Sequence, residues 1–160
     1  MPFASYLRSK PIDMSMIHAA LTDPDYGFDI SDEGGHTMRL DIPVDQGGGG
    51  TGFRPMQTVL AALCGCSGVD IVSILKKQKQ QLKGLEISVD GEREKGGDIS
   101  LWSSVRLLIS ITGEVEPGKA FRAVSLSIDK YCSVAETLRR AGATISWTLT
   151  VNGEPAGSTT

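Results

Sequence analysis

The chain has 160 residues, a formal net charge of −3 and a pI near 5.4, a length that suits one domain with its own core. That charge balance leaves no electrostatic footprint for nucleic acid or an anionic membrane. Three cysteines, and a start at Met1-Pro2-Phe3 that lacks a basic segment followed by an apolar one, point to a cytoplasmic protein with free thiols rather than a disulfide framework.

Residues 1–11 are punctuated by Pro2 and Pro11 and read as an N-terminal arm. Ile12 to Ala19 alternates as a half-buried strand, and Thr22-Asp23-Pro24-Asp25 is turn chemistry. Tyr26–Ile30 is a second strand, Asp32-Glu33-Gly34-Gly35 a turn, and Thr37–Ile42 a third strand, together an antiparallel meander. Gln46 to Gly52 holds five glycines. A phosphate loop would need a following Gly-Lys-Ser/Thr, which is absent, so the stretch reads as a flexible connector.

Arg54 to Leu82 is the organising stretch, expected as one long helix opened by Pro55 in its first turn. Val59, Leu60, Leu63, Val69, Ile71, Val72, Ile74 and Leu75 put apolar groups on every side, as in a core helix covered from several directions. Asp70 and the run Lys76–Gln81 leave too short an apolar segment for a membrane span, and the lysines read as a solvated helix end.

Leu85–Arg93 then alternates as a strand, Glu94–Asp98 turns, and Leu101–Gly113 is a long strand. Pro117-Gly118 opens a helix from Lys119 to about Lys130, and Cys132 follows it. Ser133-Val134-Ala135-Glu136 has capping-box spacing, which starts a short helix at Ser133 running to Arg140, with Gly142 as C-cap. Thr144–Val151 is a final strand and residues 152–160 a polar tail. Three strands, a long helix, two strands, two helices and a strand make an α+β fold over residues 1–160, antiparallel sheets around a long central helix, not βαβ winding.

Cys64 and Cys66 sit two apart on the helix, so their side chains diverge by about 200° and cannot pair with each other. Cys64 reads as a small buried hydrophobe. Cys132, just before a helix start, stands where amide dipoles favour a thiolate and lower its pKa. Neither His18 nor His36 has a ligand-like or triad-like context, and no metal or cofactor is implied.

These features resemble the OsmC/Ohr superfamily, the bacterial osmotically induced and organic-hydroperoxide-resistance proteins. The resemblance is carried by the glycine loop running into Arg54-Pro55-Met56, by Leu60–Asp70 with Cys66, by Arg122–Ser127, and by Lys130-Tyr131-Cys132-Ser133-Val134. It is strongest to the less characterised OsmC-like branch. The resemblance implies an intertwined homodimer and a thiol-dependent peroxidase of organic hydroperoxides, serving oxidative or osmotic stress defence. Cys66 would attack the peroxide and Cys132 resolve the sulfenic acid as a disulfide, which a dithiol reductant restores.

Two departures matter. Active members place an acid just after the helix proline and an Arg in the N-terminal strands. Here Met56 and Gln57 follow Pro55, and the Thr22–Asp25 turn holds no Arg. Gln57 orients by hydrogen bonding but is no base; Arg54 and Arg39 are the candidate substitutes for the cation. Without a cation nearby, a buried Cys66 would be a blunter nucleophile. The alternative reading is therefore an OsmC-like protein that keeps the pocket for another small apolar ligand, or responds to redox state, without peroxidase activity.

Overall fold

A computed structural model describes residues 15–159; the expected arm and the start of the first expected strand lie outside them. The chain divides into two compact units with the boundary between Thr58 and Val59.

The first unit is the expected meander, β1 (Ile17–Leu21), β2 (Phe28–Asp32) and β3 (Thr37–Leu40), in sheet order 1-2-3. Asp23 Oδ1 accepts the amides of Asp25 and Gly27, each at 2.9 Å, which closes the β1–β2 turn. Arg39 on β3 binds the same turn through Asp23 Oδ2 at 2.6 Å, and reaches Asp29 on β2 at 2.9 Å.

The glycine loop is not a loose connector. Buried Asp41 accepts the amides of Ile42 (2.7 Å) and Thr51 (2.9 Å), the more distant amide of Gly49 (3.4 Å), and the Thr51 hydroxyl (2.8 Å). These donors hold its carboxyl down to about 2. The nest of amides that invites a phosphate thus already encloses a carboxylate of the same chain. Gly48 is required there, because a Cβ would collide with the Ile42 carbonyl.

The long helix α1 spans Pro55–Lys77 and is shorter than expected. Lys79 takes a positive φ of 57°, and the Gln80 amide returns to the Leu75 carbonyl at 3.0 Å while that of Lys79 returns to Lys76 at 3.0 Å. This is a Schellman stop with lysine where glycine is usual, so the chain leaves the helix before the expected lysine-rich end is complete. Only one stripe, Leu63, Ser67, Ile71 and Leu75, is buried, while Ala61, Ala62, Gly65 and Val69 are exposed. Among the described residues the helix lacks the expected cover on all sides. By length and composition alone α1 does meet the requirement for a membrane span, with a mean hydropathy of 1.9 in its best window, contrary to the expectation from Asp70 and the lysines. A core helix meets the same requirement.

The second unit carries a four-stranded sheet, β4 (Gln81–Arg93), β5 (Trp102–Glu114), β6 (Thr144–Val151) and β7 (Glu154–Thr159), in that order. One face stacks in rows across the register, Val89–Leu107–Trp147, Ile87–Ile109–Leu149 and Leu85–Ile111–Val151. Two expectations fail here. The pairing of β5 with β6 is parallel, because α2 (Pro117–Leu126) and α3 (Ser133–Arg140) form a crossover between them. The polar tail is in fact β7: Asn152 and Gly153, with φ of 51° and 85°, form the hairpin turn that returns it onto β6.

Gly157 on β7 faces the Phe121 ring of α2, which packs tilted by 56° against Trp147 with ring centroids 5.3 Å apart. Its φ of 139° and the absence of a Cβ both permit that approach. Gly157→Ala should therefore lower stability by about 2 kcal/mol through overpacking, read from the shift of the urea midpoint; an unchanged midpoint would contradict this packing.

Candidate functional site

The site is built where the chain between α2 and α3 meets α1. Ser127–Tyr131 continues α2 as a π-helical turn, in which the Cys132 amide reaches back five residues to the Ser127 carbonyl at 2.8 Å. Wide turns of this kind recur at functional positions. The Ser127 hydroxyl donates to the Ser67 carbonyl on α1 at 3.1 Å. On the outer side Arg139 of α3 holds the turn, donating to the Ile128 carbonyl at 2.8 Å and to Asp129 at 3.1 Å.

Cys132 ends this turn, 2 % exposed, and is itself the N-cap of α3, its sulfur accepting the Ala135 amide at 3.4 Å. The expected capping box is displaced by one residue, since the cap is Cys132 and not Ser133. Glu136 pairs with Arg140 at 2.8 Å rather than reaching back to the cap.

Cys66 lies on α1 beside Ser67, half-buried, and interacts with Cys132. Burial, and then hydrogen bonding and charge coupling with Cys66, push the Cys132 thiol up to about 11. The amides of Ala135 and Val134 oppose this more weakly. The expectation that the helix start lowers the Cys132 pKa is thus overturned: desolvation outweighs the first-turn amides. No cation figures among the largest influences on it.

All three cysteines are free. Cys64 points away from the pair, toward the Ile87 carbonyl on β4, with Sγ at 3.9 Å. Burial raises its pKa too, in keeping with a packed, unreactive thiol. Among the described residues no group of three or more His, Cys, Asp and Glu side chains is arranged to hold a metal ion.

The three candidate supporting residues belong to the first unit, and two have their polar groups engaged there. Gln57 Oε1 accepts the Arg54 amide at 3.1 Å while the Gln57 amide returns to the Arg54 carbonyl at 2.9 Å. That is the reciprocal fastening of a helix start, with Gln57 in the third helical position. Arg54 contributes its backbone to it and has an exposed side chain. Arg39 donates to Thr51 (2.7 Å), Thr22 (2.9 Å), Asp29 (2.9 Å) and Asp23 (2.6 Å), so two carboxylates already neutralise it. Ser127 closes the Arg122–Ser127 stretch that carries the resemblance, but nothing in the sequence assigns its hydroxyl a role at the site.

The fold is that of the OsmC-like proteins. A solved hypothetical protein from Aquifex aeolicus shares 26 % identity at a TM-score of 0.72, covering 88 % of this chain and 99 % of its own. An organic hydroperoxide resistance protein OsmC from Legionella pneumophila shares 18 % identity at a TM-score of 0.68, covering 89 % and 100 %. The model of the OsmC-like protein family matches residues 47–148, and the chain belongs to that family, within the OsmC/Ohr superfamily. Protein YhfA of Escherichia coli K12 is 38 % identical over 101 residues, covering 62 % of this chain and 75 % of its own.

In the folded chain Cys132 keeps its proton well beyond the ordinary thiol value of 9.0. An unfolded chain loses the proton first, so stability is predicted to fall as pH rises from 9.0 toward about 11. The thiolate absorbance that Cys132→Ser removes should titrate near pH 11. A step below the ordinary value would restore the helix-dipole account.

Proposed function

We propose that the protein is a thiol-dependent peroxidase of organic hydroperoxides, with Cys66 as nucleophile and Cys132 as resolving thiol. The observation that carries this reading is that these two cysteines, from separate helical segments, lie close enough beside the π turn for Cys66 to raise the Cys132 pKa. The Cys66 thiolate attacks the O–O bond, forming a sulfenic acid and releasing an alkoxide that takes a proton to become the alcohol. Cys132 then attacks the Cys66 sulfur; the disulfide forms and water leaves. A dithiol reductant returns both thiols and is itself oxidised to a disulfide. Half-buried Cys66 is the thiol that meets peroxide, and buried Cys132 meets only Cys66.

We further propose that the working unit is a cytoplasmic homodimer. The exposed apolar side of α1 supports it, with Val69 71 % exposed beside a groove of about 570 Å³ lined by Gly68, Val72 and Leu85. A bare apolar strip of this kind marks an association surface. Val69→Asp is expected to convert a dimer in light scattering to monomer; a monomeric parent protein would remove this part of the proposal.

The second reading, a ligand-binding or redox-responsive protein without peroxidase turnover, draws on two observations. Cys132 is pushed up to about 11 with no cation among its largest influences, and Arg39 is held by Asp23 and Asp29. The two readings separate when reduced protein is mixed with an alkyl hydroperoxide at near-stoichiometric amounts. Peroxidase chemistry consumes two thiols per chain, and none are lost to disulfide in Cys66→Ser. Thiols that survive a large excess of peroxide would leave only the second reading.

A further inference from the structure

Ser127 has no part in the chemistry drawn above, yet its placement ties it to both thiols. It is completely buried. A serine within a helix usually turns its hydroxyl back onto the carbonyl one turn earlier, as Ser67 does toward Leu63 at 2.6 Å. Ser127 instead reaches across to α1 and donates to the Ser67 carbonyl at 3.1 Å, at the residue following Cys66. Its own carbonyl accepts the Cys132 amide at 2.8 Å. Two hydrogen bonds through one residue thus link the backbone beside Cys66 to the backbone of Cys132.

A disulfide tolerates only a narrow range of separation, with Cβ atoms about 3.5–4.5 Å apart. A shift of about 1 Å in a reacting group costs rate steeply. Arg139 fastens the π turn to α3, and the Ser127 hydroxyl fastens it to α1. Resting on the two-thiol reading, we propose that Ser127 is a positioning residue for disulfide formation, its hydroxyl setting the gap that Cys132 must cross to reach Cys66.

The test needs no peroxide. In glutathione buffers, the Cys66 thiolate attacks glutathione disulfide and expels one glutathione thiolate. Cys132 then displaces the second, forming the internal disulfide, and both released thiolates take protons. Two protein thiols are oxidised and one glutathione disulfide is reduced. The equilibrium gives the effective molarity of Cys132 toward Cys66, with peptide mapping to exclude Cys64. Ser127→Ala is expected to lower it about five- to tenfold, the worth of one buried hydrogen bond, while Ser127→Thr, which keeps the hydroxyl, stays near the parent value. Should Ser127→Ala prove too unstable, the same equilibrium is read on it and on the parent at low temperature in a stabilising osmolyte. A lower melting temperature with unchanged effective molarity would make Ser127 merely structural and overturn the proposal. A parent protein that forms no Cys66–Cys132 disulfide in any buffer would instead overturn the two-thiol reading itself.

Discussion

The thiol pair depends on one constraint: the segment joining α2 to α3 must end as a cap and still lie against α1. A continuous α-helix from Pro117 onward would carry Cys132 around its own axis at 3.6 residues per turn. The π turn at Ser127–Tyr131 breaks that phase, and Cys132 emerges with an extended ψ of 103°, as the N-cap of α3. The cap is made by a sulfur, a weak acceptor compared with a hydroxyl or carboxylate. One residue therefore serves two demands, starting a helix and facing another thiol. Burial follows from that position and decides its protonation, since first-turn amides are too weak to offset the loss of water.

The first unit spends its charges on its own fold. Asp41 fills the glycine loop with an internal anion, and Arg39 ties the β1–β2 turn to β2 and to Thr51. Because Thr51 accepts from Arg39 and donates to Asp41, the two charged residues form one network. Family members of the peroxidase kind are expected to use an acid and an arginine on the attacking thiolate. Here the corresponding chemistry is bound up in structure, and Gln57 fastens the start of α1. On the two-thiol reading the pair is kept, while Arg39 and Gln57 are engaged within the first unit. This contrast is what gives the non-peroxidase reading its weight.

Much of the fold was legible in the residues. Proline at the helix start and a dense apolar run located α1, and alternation located β2 to β6. What alternation does not encode is direction: β5 and β6 are parallel, although two helices between them were a signal for a crossover. Strand β7 hid behind Pro155, Gly157 and small polar residues, but Asn152-Gly153 was a hairpin turn in plain view. The stop of α1 was not readable, because lysine at positive φ leaves no mark in composition. At the site, the resemblance named Cys66 and Cys132. Ser127 lies in a stretch that carries the resemblance, but its hydrogen bond to a carbonyl 60 residues away in the chain has no sequence signal. The Cys132 pKa departs from expectation because sequence shows the helix start but not the depth of burial.

If Cys66 and Cys132 form one redox pair, Cys64 stands outside it. Peptide mapping by mass spectrometry after oxidation with one equivalent of an alkyl hydroperoxide tests this most directly. A working pair gives a single crosslinked species joining the Cys66 and Cys132 peptides, with Cys64 left as a free thiol on the Cys66 peptide. A disulfide through Cys64, or a sulfinic acid on Cys66 with Cys132 still reduced, would contradict it.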